Sequence, residues 1–216
     1  DKLVSQVRRD ILRMVHTVNS GHPGGSLGCV EFFVSLYKRV LETESNSNSK
    51  DIFILSNGHI SPVYYSTLAR CGYFDIKELN TFRKINSRLQ GHPTNHDGLP
   101  GINISSGSLG QGVSVGIGIA LSKKINNDPS LVYVLTGDGE LQEGQIWESL
   151  QSASNHKLHE ITPIVDHNKL QSDIYVECVN DLGDLTYKFS SFGWDVQEID
   201  GHSHNEIKSA LKKANP

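Results

Sequence analysis

The chain has 216 residues, with 20 Lys and Arg against 24 Asp and Glu, and its net charge of −4 offers no general attraction for nucleic acid or an anionic membrane. An apolar fraction of 37% and a charged fraction of 20% are ordinary for a soluble globular protein long enough to bury a good core. No apolar run approaches the ~20 residues needed to span a bilayer, and no signal-peptide pattern opens the chain. Cys29, Cys71 and Cys178 are widely spaced and form no CxxC, which reads as reduced thiols in a cytoplasmic protein. Ten histidines are many for this length, and three of them (His22, His59, His92) directly follow glycine in loop-like sequence.

In chain order, Leu3, Val4, Val7, Ile11, Val15 and Val18 make a helical stripe that ends at Gly21, with Pro23 beyond it. A second helix is expected over 30–41, followed by a polar surface loop over 42–50. Residues 51–55 read as a short buried strand running into Ser56–His59, and 62–71 and 76–85 read as helices. The stretch 88–102 is too rich in Gly, Pro, His and Asn for a regular element, and long enough to suspect function. The glycine-dense stretch 105–118 opens into a helix over 113–124.

Two β-rich runs, 131–136 and 161–165, bracket an amphipathic stretch with Ile146, Trp147, Leu150 and Ala153 at helical spacing. That is a βαβ unit, whose parallel strands lie side by side. A helix near 185–192, a strand near 196–199 and a last helix from His204, capped by Ser203, complete the chain. Strands near 52, 132, 162 and 196 separated by helices predict an open, mostly parallel α/β sheet.

Ligands gather at the carboxyl ends of such strands. There the sequence places Asp138 after one strand, and Asp166 and Asn168 after the next. A carboxylate and a carboxamide converging beside Gly137 and Gly139 suit a hard cation such as Mg²⁺, which fills its octahedron with ligand phosphates and water. Asp-Gly alone is a common turn; its place after an apolar strand, one βαβ unit before Asn168, makes the metal and diphosphate reading specific. Gly107, Gly110 and Gly112 fit neither GxGxxG nor a Walker loop, so they serve either close packing or a helix N-terminus that holds phosphate. Several glycine-preceded imidazoles in one cleft suit a polyhydroxylated, anionic substrate, whereas His96, His156 and His159 lack that setting and read as surface. Glu140, Glu143 and Glu148 open a helix, where the macrodipole favours acids. A functional role for them is equally open.

Five motifs then fall into a known order. Ser20-Gly21-His22-Pro23-Gly24, Leu55-Ser56-Asn57-Gly58-His59, Gly91-His92-Pro93, Gly107-Ser108-Leu109-Gly110-Gln111-Gly112 and Gly137-Asp138-Gly139-Glu140-Leu141-Gln142-Glu143-Gly144 resemble the motifs of the thiamine-diphosphate-binding half of transketolase, over nearly the whole chain. The resemblance implies an α/β, doubly wound, mostly parallel sheet of the thiamine-diphosphate-binding type over 1–216. It implies that Asp138, the Asn168 side chain and the Leu170 carbonyl ligate Mg²⁺ (or Ca²⁺), with Gly139 and His59 against the diphosphate. Gly107, Ser108 and Leu109 would lie along the cofactor, with Leu109 forcing its bent shape. His22 and His92, with His59 the catalytic histidines, would touch sugar hydroxyls, and Glu143 and Glu148 would face a partner subunit.

The implied reaction is ketol transfer: a two-carbon dihydroxyethyl unit passes from a ketose to an aldose, with thiamine diphosphate as electron sink. A modified or deoxy sugar in a specialised pathway, and a non-catalytic scaffold that kept the fold, are the competing expectations. Three departures from the family pattern stand out. Nothing here resembles the second domain, which carries the Glu that activates the aminopyrimidine and the basic residues that hold sugar phosphate. The chain is thus expected to be either the N-terminal subunit of a split enzyme or a cut chain, inactive without a C-terminal subunit bearing the pyrimidine-binding domain, in a heterotetramer. A further histidine of the family half has no counterpart. Ser172 replaces an apolar residue expected against the thiazole, and Ile174 replaces a Gly that often follows Asp173.

Overall fold

Val4, Val7, Ile11 and Met14 recur at helical spacing and are all buried, which makes Lys2–Val18 helix α1 with one face turned inward. The computed structural model describes residues 2–39, 50–172 and 174–214. Its chain folds as two units: one of Asp1–Leu41, Gly58–Gly107 and Ile199–Pro216, the other of Glu42–Asn57 and Ser108–Glu198.

The first unit is helical. Helices α2 (Pro23–Gly28), α3 (Val30–Arg39), α4 (Ser61–Arg70) and α9 (His204–Lys213) join α1, and α2 and α4 each carry a proline in the first turn, where no intrahelical N–H is needed. Every residue of α4 from Ser61 to Ala69 is buried, so it is the centre of this unit. Asp10 of α1, 5% exposed, accepts hydrogen bonds from Ser66 Oγ at 2.9 Å and Arg70 Nε at 2.6 Å, so its buried charge is paired. Ser203 caps α9 through the Glu206 N–H, as expected.

The expected helix over 76–85 is instead a 3₁₀ turn, Ile76–Thr81. Phe82 leaves it in an extended conformation and Arg83 and Asn86 take positive φ, so the backbone ends the helix although Leu79 and Phe82 are buried, and Ile85 is left 94% exposed. The last two residues of the helix expected over 30–41, and the loop expected over 42–50 apart from Lys50, lie outside the described residues.

The second unit holds the sheet. Strands β1 (Ile52–Leu55), β2 (Val132–Gly137) and β3 (Ile161–Asp166) run parallel in the order β1-β2-β3, with Leu55 opposite Leu135 and Gly137 opposite Asp166. Helix α5 (Gln111–Ile125) lies close on β2: a Cβ at Gly116 would fall 2.6 Å from Val134 Cγ2. Helix α6 (Gly144–Asn155) buries Ile146, Leu150 and Ala153, the predicted face, while Trp147 packs on Phe189 and Phe192 of the α8 (Leu185–Ser191) segment. A small antiparallel hairpin, β4 (Leu170–Gln171) and β5 (Ile174–Tyr175), and helix α7 (Val176–Asn180) follow β3 and have no counterpart in the sequence expectation.

Residues 196–199, expected as a strand, are not one. Val196 and Ile199 are apolar, but a strand forms only where a neighbouring edge takes its backbone groups. Among the described residues no helix is long and apolar enough to cross a membrane, and none of Cys29, Cys71 and Cys178 is in a disulfide.

Candidate active site

The first unit brings its three singled-out histidines together. His22 is the N-cap of α2, where Pro23 fixes the first helical residue, and its carbonyl accepts Ser26 Oγ–H at 2.9 Å. His59 sits in the 3₁₀ turn Gly58–Ile60 that leads into α4, and its ring meets that of His22 edge-on, with centroids 5.0 Å apart. His92 follows Gly91, whose carbonyl is held by Ser61 Oγ at 2.8 Å. Gly107, at φ +116°, packs on the His92 ring so closely that a Cβ there would lie 2.6 Å from His92 Cδ2. A Cβ at Gly58 would lie 2.8 Å from Gly107 N. The glycines are thus what let the loops carrying His59 and His92 converge.

Burial, then the neighbouring His22 and His92, pushes the His59 imidazole down to about 4. His92 is lowered by burial, then by Arg83 and His22. These rings are neutral at pH 7 and so present both a donor and an acceptor nitrogen. Titration of His59 by NMR is expected to show no protonation near pH 6.5 and a midpoint near 4. The unfolded chain takes up this proton first, so stability is full above about pH 6.5 and falls as pH drops toward 4. The half-buried ring is screened, so the loss is ~1–2 kcal/mol rather than the ~3 kcal/mol a full shift implies. His59→Gln should flatten that slope in urea unfolding; an unchanged slope would assign it elsewhere.

The second unit gathers oxygen at the ends of its strands. Asp138, 2% exposed, follows β2; its Oδ1 accepts Gly139 N–H at 2.8 Å and its Oδ2 accepts Lys169 N–H at 2.5 Å. Burial raises its proton affinity more than these two bonds lower it. Lys169 takes φ +64°, a left-handed conformation costing ~1–2 kcal/mol outside glycine, and thereby aims its N–H at Asp138. Asn168 is exposed; its Nδ2 donates to Asp166 Oδ2 at 2.9 Å and its Oδ1 accepts Leu170 N–H at 2.8 Å. The 168–170 segment therefore lies against Asp138 through one backbone bond, with the Asn168 carboxamide folded onto its own loop.

Two of the buried oxygens that find no hydrogen-bond partner among the described residues are Asn57 Oδ1, in a residue 1% exposed beyond β1 and near Gly137, and Gln171 Oε1, against Gly139. Among the described residues no cluster of three His, Cys, Asp or Glu side chains stands ready for a metal. A cation here would rest on Asp138, a carboxamide, a backbone carbonyl and ligand phosphate oxygens, the all-oxygen set that Mg²⁺ or Ca²⁺ takes. The residues present fit a magnesium diphosphate.

Ser108 and Leu109 are exposed at the start of α5, and the Leu109 carbonyl accepts Gln145 Nε2–H at 3.1 Å. Glu143 and Glu148 are exposed, as are His96, His156 and His159. Glu140 is different: it is 3% exposed and lies in the 3₁₀ turn Gly139–Gln142 that precedes α6. The sequence by itself does not single out Ser56, Asn57 or Gln171, and it offers Glu140 only as one of three helix-opening acids. The one signal for Ser56, Asn57 and Glu140 is a place inside the quoted motifs.

The family model described as transketolase, thiamine diphosphate binding domain, matches residues 1–216. The 6-deoxy-6-sulfo-D-fructose transketolase subunit SqwG of Clostridium sp. (strain MSTE9) is 37% identical, covering 96% of this chain and 76% of that protein. An apulose-4-phosphate transketolase subunit from Actinobacillus succinogenes is 35% identical, covering 100% of this chain and 79% of that protein. The transketolase structure from Campylobacter jejuni superimposes with a TM-score of 0.89 at 32% identity, over 99% of this chain and 35% of that one. The chain thus spans about a third of such single-chain transketolases and most of the relatives named as subunits. Its parallel α/β fold is theirs, and the chain belongs to the transketolase family, as its thiamine-diphosphate-binding domain.

Proposed function

We propose that this chain is the cofactor-binding subunit of a transketolase-type enzyme that moves a two-carbon ketol unit from a ketose to an aldose, using thiamine diphosphate and Mg²⁺. The observation that carries it is Asp138: a carboxylate 2% exposed at the end of β2, joined to the 168–170 segment beyond β3, in a chain matched throughout by the thiamine-diphosphate-binding family. When bound, the cofactor supplies the electron sink that lets a carbon–carbon bond next to a carbonyl break.

The residues have separable roles in this reading. Asp138, Asn168 and the Leu170 carbonyl hold the metal, and Gly139 and His59 meet the diphosphate. Gly107, Ser108 and Leu109 line the cofactor. His22, His59 and His92 hold and pass protons at sugar hydroxyls, for which neutral imidazoles that both donate and accept are suited. Glu143 and Glu148 are exposed and free to meet a partner chain. That partner carries the pyrimidine-binding domain, and the assembly is a heterotetramer of two chains of each kind.

A second reading concerns the sugar. The relatives that this chain covers over most of their length are named for a sulfonated deoxy ketose and for apulose 4-phosphate, which favours a modified sugar here too. Isothermal titration with thiamine diphosphate is the test. Saturable binding that needs Mg²⁺ and is abolished by EDTA is expected, together with no ketol transfer by this chain alone. Absence of binding with the fold intact would overturn the proposal; robust turnover by the isolated chain would overturn the partner requirement.

A further inference from the structure

Glu140 has a geometry that the roles above leave unused. Its Oε1 accepts Ser56 Oγ–H at 2.5 Å and Gly110 N–H at 2.8 Å, and its Oε2 accepts Gly137 N–H at 3.2 Å. Ser56 follows β1, Gly110 is the N-cap of α5 and Gly137 ends β2, so one side chain ties three segments far apart in sequence. An ion buried this deeply is costly, and burial does raise the proton affinity of Glu140. An apolar side chain would fill the space without that cost but could not fix two backbone N–H groups and a hydroxyl at once.

The surroundings are built to the same end. Gly110 takes φ +82°, and a Cβ there would lie 2.6 Å from Gln145 Nε2. A Cβ at Gly112 would lie 2.5 Å from Ser56 Cβ. The loop before α5 is thus pressed to the strand ends from one side and pinned by the carboxylate from the other. Leu109 precedes the amide that Glu140 holds, and Asp138 follows the other.

We infer that Glu140 is a positioning residue, which sets the spacing between the Ser108–Gly110 loop and the Gly137–Gly139 turn so that both meet one thiamine diphosphate. This rests on the cofactor reading above. Glu140→Gln keeps an oxygen for Ser56 and Gly110 but turns an NH₂ toward the Gly137 N–H, donor against donor. Ser56→Ala removes one bond to the same carboxylate and is the milder variant should the first fold poorly.

The experiment uses the full chain with Mg²⁺ and two probes, thiamine diphosphate and inorganic diphosphate, titrated calorimetrically into wild type, E140Q, S56A and the double variant. Circular dichroism and thermal unfolding are recorded in parallel. Expected are at least a tenfold weakening for thiamine diphosphate in E140Q, a smaller one in S56A, and a double variant no weaker than E140Q alone. Inorganic diphosphate, which spans only the Asp138 end, should change less than twofold. Wild-type affinity for thiamine diphosphate in both single variants overturns the inference, as does an equal loss for both probes, the mark of a merely structural role. Failure of the wild type to bind either probe overturns the cofactor reading and this inference with it.

Discussion

Asp138→Ala is expected to weaken thiamine diphosphate binding in Mg²⁺ by at least ~100-fold, beyond the ~10–100-fold that outer-sphere partners of a metal site typically cost. The carboxylate is the one charged oxygen donor assigned to the metal, so its loss leaves only a carboxamide and a carbonyl, too weak a set for a cation that gives up water reluctantly. The change also strands the Gly139 and Lys169 N–H groups that Asp138 accepts. Asp138→Asn separates the two effects, since it restores an oxygen acceptor without the charge. If charge is what matters, Asn behaves as Ala in calorimetry with Mg²⁺, and both variants bind equally weakly with EDTA present. Undiminished affinity in a folded Ala variant would remove Asp138 from the metal site.

Gly112→Ala should destabilise the chain by ~2–3 kcal/mol, although alanine gains up to ~1 kcal/mol over glycine inside a helix. A Cβ at Gly112 would lie 2.5 Å from Ser56 Cβ and 2.8 Å from its backbone Cα. Ser56 is fully buried and bonded to Glu140, so it cannot swing aside, and the helix must back away from the strand end. Gly118 in the same helix has nothing within 4 Å of the corresponding position. There the propensity gain stands alone, and Gly118→Ala should raise stability by ~0.5–1 kcal/mol. Urea unfolding of the pair checks both signs; equal effects would mean that the close approach at Gly112 relaxes freely.

The elements legible in the sequence are those whose burial pattern is local. The stripe Val4, Val7, Ile11 and the spacing of Ile146, Leu150 and Ala153 announce α1 and α6 because each helix hides one face. β1 and β2 are apolar runs that the sheet buries, while β3 is buried only at Ile161 and half-buried beyond it. The strand expected over 196–199 fails because its ladder needs a neighbour that periodicity cannot reveal. The helix expected over 76–85 fails at Phe82, whose side chain is buried while its backbone turns extended.

Within the candidate site, His22, His59 and His92 stand out as three of the four Gly-His steps, and the strand-end carboxylate as an acid after an apolar run. Glu140 is not. Written beside Glu143 it looks like one more helix-opening acid, and only the fold sets one at 3% exposure and leaves the other in water.

The six matched pairs between β2 and β3 determine where this chain can change length. Successive side chains point to opposite sheet surfaces, so an extra residue inside Val132–Gly137 would invert every later position of the strand and deliver residue 138 to the wrong side. The same extra residue among 126–129, largely in water, would lengthen a bend and leave the pleat in phase.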